Sequence, residues 1–371
     1  MDHNHLKNQQ YRQVALDRQV ALVAGATGFI GRYLILQLLQ QGHSVFALIR
    51  NPLEQQQALT QWLQQKNVSL QQLTFIQGDV TQVNLGIQPH DWEKLKSVNT
   101  LYNSSALFAW NLEMQQARAV NVDGALNLLA CVHQHCDLKR AVHMSGYMLT
   151  LLGHLRQAGV CLEQPEQTDW FAVYQRLGAY EASKIEAHFA WIRTAQRLSV
   201  DWTIIHPATV LGDDVSGEIP LNQPIAQMID LLKRKKMSAL PATAQHYLPL
   251  IRVDDLCQIM VKASMDQALT NQSMLAVSEH DLALPQLTGM IATQLQVKAP
   301  TRHVPIALLK LILKWQWLAT KLEMSREMLD FLRTEPLEQA VLQQFKQRWQ
   351  ISTGDLEDAI RKTTDWVSQA R

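Results

Sequence analysis

VALVAGATGFIGRYLILQLLQQG, residues Val20–Gly42, is the stretch that decides the fold of this 371-residue chain. Val20 to Ala24 is a short apolar run, and Gly25, Gly28 and Gly31 follow it at three-residue spacing. From Ile30 the apolar residues Leu34, Ile35, Leu38 and Leu39 recur at helical spacing until Gly42, a natural helix stop. The pattern predicts a strand, a glycine turn and a helix. Such a turn brings bare backbone N–H groups and the positive end of a helix up to a phosphate. The first glycine permits the tight turn, the second lets a pyrophosphate approach, and the third packs helix on strand. An ordinary βα turn rarely needs three glycines, so a nucleotide site is expected here.

Outside this stretch, composition narrows the class. The length allows one large domain or two ordinary ones. A formal net charge of +1 makes no electrostatic case for nucleic acid or an acidic partner. The N-terminal segment MDHNHLKNQQYRQ is polar and lacks the apolar core of a secretory signal. His3 and His5 within it read as solvated, and no metal is expected. Cys131, Cys136, Cys161 and Cys257 show no CxxC spacing, in keeping with reduced thiols. No apolar run reaches the roughly 18–20 residues that span a bilayer. A soluble, cytoplasmic protein is expected.

His43–Arg50 (HSVFALIR) reads as a second strand. NAD sites of this type place an acid about 20 residues past the glycines, to accept from the ribose 2′-OH. Arg50 occupies that stretch instead, and a guanidinium pairs with a 2′-phosphate through two parallel bonds. Arg32, at the start of the first helix, is expected to help. NADP is therefore expected over NAD; the alternative is a solvated arginine at a strand end. A Gln-rich helical segment leads to a third strand, Leu73–Gln77. Asp79, just past it, either accepts from an adenine amino group or closes a turn. TLYNSSALFAW makes a short strand ending in Asn103, Ser104, Ser105 and Ala106, small residues that let a flat cofactor lie against the sheet. A helix beginning near Met114 carries VNVDGALNLL. Arg140–Met144 makes a fifth strand and delivers Ser145 to its end, and Thr203–Pro207 makes a sixth.

This alternation predicts an α/β fold, a parallel sheet wrapped by helices, with a smaller, mainly helical C-terminal lobe. Residues 1–18 form a polar tail and 19–211 the dinucleotide-binding domain, to which 250–280 return with a strand at Ser273–Val277. Residues 212–249 and 281–371 form the lobe. The basic run Lys233–Lys236 reads as a solvated helix face. The chain from about Pro300 reads as mainly helical and holds Trp315, Trp317, Trp349 and Trp366.

Tyr180-Glu-Ala-Ser-Lys184 is the sharpest catalytic signal. Four residues apart on a helix, Tyr180 and Lys184 project from one face. A phenol with a pKa near 10 is a poor acid–base group at neutral pH, and a neighbouring ammonium is expected to pull it down. The same lysine can hydrogen-bond a nicotinamide ribose.

The chain resembles the extended short-chain dehydrogenase/reductases, the NAD-dependent epimerase/dehydratase-like group. GATGFIG (Gly25 to Gly31), GDV (Gly78 to Val80), NVDGALNLL (Asn121 to Leu129), YEASK (Tyr180 to Lys184) and HPATVLG (His206 to Gly212) match its motifs in order, over roughly Val20 to Ala276. The resemblance implies that the sheet is a Rossmann-type doubly wound parallel sheet and the C-terminal lobe a substrate lobe, with a nicotinamide cofactor held by Gly25, Thr27, Gly28, Phe29, Ile30 and Gly31. It adds Asp79, Val80, Lys184, and His206 and Pro207 near the nicotinamide. It also implies Tyr180 as the proton-transfer residue and Lys184 as its partner. In the family a Ser or Thr hydroxyl normally follows the fifth strand, as the second residue of an SS or ST pair. Here that pair reads Ser145-Gly146, so Ser145 is expected to shift into the role, with Tyr147 and Thr150 as alternatives.

SALFAWN (Ser105 to Asn111) and GDDVSGE (Gly212 to Glu218) resemble the branch that reduces fatty acyl thioesters and aldehydes. A helix from Val304 to Leu322 fits it, with Lys310, Lys314, Trp317 and Lys321 in one stripe and apolar residues over the remainder. That face either lines a lipid pocket, makes peripheral membrane contact through 304–322, or is buried in the lobe. The expected function is NADP(H)-dependent hydride transfer to or from a carbonyl or alcohol (aldehyde, ketone or acyl thioester) of a hydrophobic small molecule. The alternatives are a sugar-nucleotide epimerase or dehydratase, to which the Lys233–Lys236 run points, and a non-catalytic NADP-binding regulator or assembly protein. A homodimer stays an open expectation.

Overall fold

The structure is a computed structural model that describes residues 18–109, 112–241, 243, 245–313, 315, 317, 323 and 327–370. Strands β1 (Val20–Ala24), β2 (Ser44–Ile49), β3 (Leu73–Gln77), β4 (Thr100–Asn103), β5 (Arg140–Met144) and β6 (Trp202–Pro207) alternate with helices. The short strands β7 (Thr209–Leu211), β8 (Ala239–Pro241) and β9 (Leu250–Arg252) follow, then β10 (Gln272–Ala276) and β11 (Arg302–Val304). Seven of them form one sheet in the order β10-β6-β5-β4-β1-β2-β3, with every neighbouring pair parallel. This is the parallel sheet that the alternation predicts, in the doubly wound Rossmann form that the resemblance implies. Chain order reverses between β1 and β4, which opens a crevice at their carboxyl ends, where open α/β sheets bind ligands.

A parallel sheet must be covered on both faces. On one face, Leu34, Ile35 and Leu38 of the helix Phe29–Gln40 pack with Leu256, Ile259 and Met260 of the helix Val253–Met265. Leu342 of the helix Ala340–Trp349 joins this core from the far end of the chain. On the other face, Leu128, Leu129 and Val132 pack with Trp191 and Ala195 of the helix Ala179–Leu198. A separate apolar cluster joins three further helices, Pro224–Lys233, Leu284–Gln294 and Leu356–Gln369, through Ile225, Ile229, Leu287, Ile291 and Ile360. Two parallel ribbons, β7 with β9 and β8 with β11, accompany these helices.

Two expectations need correction. Val304 does not begin a long helix: Arg302–Val304 is strand β11, and the helix that follows is Ile306–Ile312. Pairing of β11 with β8 takes up the first residues, and Pro305 then serves as a helix start without an N–H to satisfy. That helix buries no residue, and Leu308, Leu311, Trp315 and Trp317 are exposed. Trp110, Asn111, Lys314, Leu318, Lys321, Leu322 and the histidines of the N-terminal tail lie outside the described residues. The basic run is also not a plain solvated face. Lys233 Nζ donates to Ser368 O at 2.7 Å, while Arg234 and Lys236 both pair with Glu323. Among the described residues no helix is long and apolar enough to cross a membrane.

The glycine turn is sterically dictated. Gly25 has φ +78°, and a Cβ there would lie 2.7 Å from the Ser104 carbonyl carbon and the Ser105 nitrogen. A Cβ on Gly31 would lie 1.9 Å from the Gly25 oxygen. Gly153, by contrast, sits in the helix Leu152–Ala158 with nothing within 4 Å of a Cβ. Gly31→Ala should therefore lose about 2–3 kcal/mol of stability through forced overpacking. Gly153→Ala should be neutral or gain about 0.5–1 kcal/mol. Equilibrium urea unfolding of both variants checks the contrast; equal stabilities would refute the close crossing.

Candidate active site

A single cleft of about 190 Å³ runs from the glycine turn to the carboxyl ends of β5 and β6. Gly28, Phe29, Ile30 and Gly31 line one end, Ser104 and Ala106 the wall, and Ser145, Tyr180 and Pro207 the other end. The helix Phe29–Gln40 begins at Gly28 with no side-chain cap and no acid in its first turn, so its opening N–H groups have no internal competitor for an anion. Gly25 closes the turn by accepting from Gly28 N at 3.0 Å, and Thr27 is exposed at its tip. A glycine loop, an uncapped helix start and small residues along β4 in one cleft fit a dinucleotide.

The remaining cofactor candidates divide. The Arg50 side chain is exposed just past β2, and its backbone N–H donates to Gln55 Oε1. Arg32 does not assist it. Its guanidinium pairs with Glu218 at 2.9 Å and lies 4.8 Å from the Trp62 ring centroid. The reason is the segment GDDVSGE after β7: Asp213 accepts from Tyr33 Oη and Lys66 Nζ, and Glu218 accepts from Trp62 Nε1. Burial pushes the Asp213 carboxyl up, but hydrogen bonds from Lys66 and Ser216 and the Lys66 charge outweigh it, holding it at about 2. Asp79 Oδ1 accepts from both Thr81 N and Thr81 Oγ1, so one carboxylate oxygen does close a turn. Val80 belongs to the core under β3 and β4. Ser104 Oγ donates to Ala24 O and Ser105 Oγ to Asn103 Oδ1, which ties the β1 and β4 ends together.

Tyr180 lines the cleft half-buried, its ring edge-on to Phe108 at 4.7 Å. Lys184 lies one turn further along the same helix, buried, and its Nζ donates to Met144 O. The expected lowering of the phenol does not occur in this arrangement. Burial, reinforced by the neighbouring Glu181 carboxylate, pushes Tyr180 up, because the Lys184 ammonium is turned to the β5 carbonyl. Burial brings Lys184 itself down to about 8.

Ser145 Oγ is buried in the cleft wall with no hydrogen-bond partner among the described residues. The other two candidate hydroxyls are engaged. Tyr147 Oη donates to Phe331 O, and Thr150 Oγ1 donates to Tyr147 O at 2.7 Å. A Cβ at Gly146 would sit 2.4 Å from Met148 Sδ, so the Met148 thioether fills the space where the family's usual side chain would begin.

His206 does not reach the cleft. It is buried behind Pro207, 5.2 Å from the His188 ring centroid to centroid, beside His143. Burial lowers all three imidazoles, His188 to about 4, and the Lys184 charge adds to it. His143 Nε2, His188 Nδ1 and His206 Nδ1 lack partners among the described residues. Sequence reasoning also missed Phe331, Gln223 and Pro224, which reach the cleft from outside the Rossmann motifs. No local signal marked them, since only tertiary packing brings residue 331 beside residue 147.

Buried neutral histidines have a measurable consequence. Below about pH 6.5 the unfolded chain takes up protons that the folded chain refuses, so stability is full above that pH and is lost as pH falls toward 4. Each such group contributes a slope of about 1.4 kcal/mol per pH unit in that window. Urea unfolding from pH 7.5 to 4.5 should show the decline, and His188→Gln should make it shallower. An unchanged slope in that variant would refute a buried neutral His188.

The profile of the family described as male sterility protein, an NAD-binding family, matches residues 23–260. A putative dihydroflavonol 4-reductase of Synechocystis sp. is 25% identical over 287 residues, covering 76% of this chain and 75% of its own. An anthocyanidin reductase of Vitis vinifera is 20% identical, covering 78% and 85%. Among solved structures, the terminal R domain of the myxalamid PKS-NRPS pathway superposes with TM-score 0.72 at 17% identity, covering 97% of this chain and 98% of its own. A UDP-glucuronic acid 4-epimerase of Bacillus cereus, in complex with NAD and a UDP-sugar, gives 0.64 at 15% identity, with 95% and 99% covered. The cleft, its Tyr180-Lys184 helix and these matches agree: the chain belongs to the male sterility protein family of the extended short-chain dehydrogenase/reductases, NAD(P)-dependent oxidoreductases in general type.

Proposed function

We propose that this protein transfers hydride between NADP(H) and the carbonyl or carbinol carbon of a hydrophobic substrate, an aldehyde, ketone or acyl thioester. The observation that carries this reading is the single cleft in which Gly28–Gly31, Ser145 and Tyr180 meet. The nicotinamide, when bound, supplies or accepts the hydride. Backbone N–H groups of Phe29, Ile30 and Gly31, at the uncapped helix start, would hold the pyrophosphate, and Lys184 would hold the ribose hydroxyls. Fixing the reactants in this way removes part of the entropic barrier. Tyr180, its phenol held protonated by burial and Glu181, suits donation of a proton to the substrate oxygen. Ser145 Oγ, with its hydrogen-bonding capacity unspent, would hold that oxygen.

The apolar character of the lobe supports a hydrophobic substrate. A second cavity of about 50 Å³ adjoins the cleft and is lined by Pro224, Met228, Leu231, Met237, Pro241, Leu248, Leu284 and a few further apolar side chains. A sugar-nucleotide substrate needs cations or donors for its diphosphate, and among the described residues no Lys or Arg lines the cleft. The Lys233–Lys236 run is spent largely on Ser368 and Glu323.

Tyr180→Phe should lower kcat for NADPH-dependent carbonyl reduction on the order of 10²–10⁴-fold while leaving NADPH affinity intact. Steady-state rates beside a fluorescence titration check this; full turnover in the variant would remove the mechanism. NADP over NAD rests on Arg50, exposed where an acid would mark NAD. Arg50→Ala should weaken NADPH binding on the order of 10–100-fold, the loss of a charge-assisted contact, and leave NADH unaffected. Equal loss for both cofactors would overturn that assignment.

A further inference from the structure

The segment Glu327–Arg333 borders both cavities, Leu329, Phe331 and Leu332 facing the apolar one and Phe331 the cleft as well. A short 3₁₀ turn, Glu327–Phe331, leads into it. Two anchors hold it. Tyr147 Oη donates to Phe331 O, with the two rings edge-on at 6.0 Å. Tyr247 and Arg333 exchange backbone N–H···O=C bonds of 2.8 and 2.9 Å. The Arg333 guanidinium lies 5.6 Å from the Tyr147 ring centroid and also donates to Asp330 O, which braces the turn from within. Phe331 and Pro224 are shared by both cavities: they line the catalytic cleft on one side and the apolar lobe cavity on the other.

We propose that Phe331 is a specificity-determining residue: its ring partitions the catalytic cleft from the apolar lobe cavity, and an unbranched alkyl arm of the substrate passes it to enter that cavity. The proposal rests on the carbonyl-reduction reading above and extends it to the shape of the substrate. Beyond Phe331 the wall is made of the apolar side chains of Met228, Leu231, Leu248, Leu284 and Leu329, with no polar side chain among the described residues. A hydroxylated or charged arm would lose its hydration there without replacement, so such substrates are rejected. Methionine side chains in that wall adapt to a flexible chain better than to a rigid ring system. Tyr147 is a positioning residue: its hydroxyl sets where the Phe331 backbone sits, which accounts for a buried tyrosine one residue after Gly146 whose phenol is pushed up by burial. The chain thus couples the end of β5, which carries Ser145, to the element that measures the substrate's arm.

The test is a series of straight-chain aldehydes from butanal to dodecanal, reduced by NADPH, in wild type, Phe331→Ala and Phe331→Trp. In wild type, kcat/KM should rise about fourfold per added CH₂ while the arm gains apolar burial, then fall past an optimum length. Phe331→Ala should move the optimum to longer chains, and Phe331→Trp to shorter ones. These opposite displacements are a signature that general loss of structure cannot produce, and the Trp variant decides the matter if the Ala variant fails to fold. A flat wild-type profile, or both variants scaling every length by one factor, overturns the partition while leaving carbonyl reduction standing. If wild type reduces none of the aldehydes, the aldehyde form of the functional reading fails. Thermal stabilisation by the matching 1-alkanols then decides the partition separately: length-dependent stabilisation shifted in opposite directions by the two variants supports it, and no length dependence overturns it.

Discussion

One close crossing of backbone on backbone organises the molecule. At the end of β1 the chain turns through Gly25, whose Cα lies against the Ser104–Ser105 peptide at the end of β4, while Gly31 seats the following helix on the Gly25 carbonyl. No side chain larger than hydrogen fits at either point. Because β1 and β4 are the strands between which chain order reverses, the same crossing that closes the core also opens the crevice. The cleft inherits its shape from that constraint. The glycine turn stands at one end, and β5 and β6, the next strands outward, bring Ser145 and Pro207 to the other.

A second constraint fastens the segment after β7 to the Rossmann core. Asp213 and Glu218 gather Arg32, Tyr33, Trp62 and Lys66 from two helices of the Rossmann core. The Arg32 and Lys66 cations lie over aromatic rings while paired with carboxylates, so charge, stacking and partial burial act together. This use of Arg32 removes it from the cofactor. It also gives GDDVSGE a structural reason to be where it is, at the point where the chain leaves β7 for the helix Pro224–Lys233.

The floor of the site tolerates unusual polar burial. Three neutral imidazoles and the Lys184 ammonium share a region that contributes no carboxylate to their pKa shifts, and several of their polar atoms lack partners among the described residues. Each such atom costs on the order of 1–3 kcal/mol unless it finds a partner. Well-packed neighbours offset part of this: Trp191 stacks on His143 at 4.5 Å and is itself fully buried. Strained or unsatisfied groups of this kind concentrate at sites that bind or react.

The elements themselves were legible in the amino-acid order. Strands Leu73–Gln77 and Arg140–Met144 fall where the sequence pattern puts them: the central strand is buried along its whole length, while the edge strand alternates and buries only Ile76. The glycine triplet and the Tyr180–Lys184 spacing likewise carry their geometry locally, through backbone freedom and helical pitch. Other features depend on which partner arrives from elsewhere in the chain. Arg32 looked free until Glu218, far along the sequence, folded onto it. His206 looked like part of the cleft until β6 turned its ring inward toward His188. The direction of the Tyr180 shift was also a tertiary matter, since spacing alone aligned a lysine that the Met144 carbonyl then claimed. Local sequence determines periodicity and turn chemistry, which act over a few residues; ion pairs, burial and cavity walls join residues hundreds of positions apart, and only the packed chain decides them.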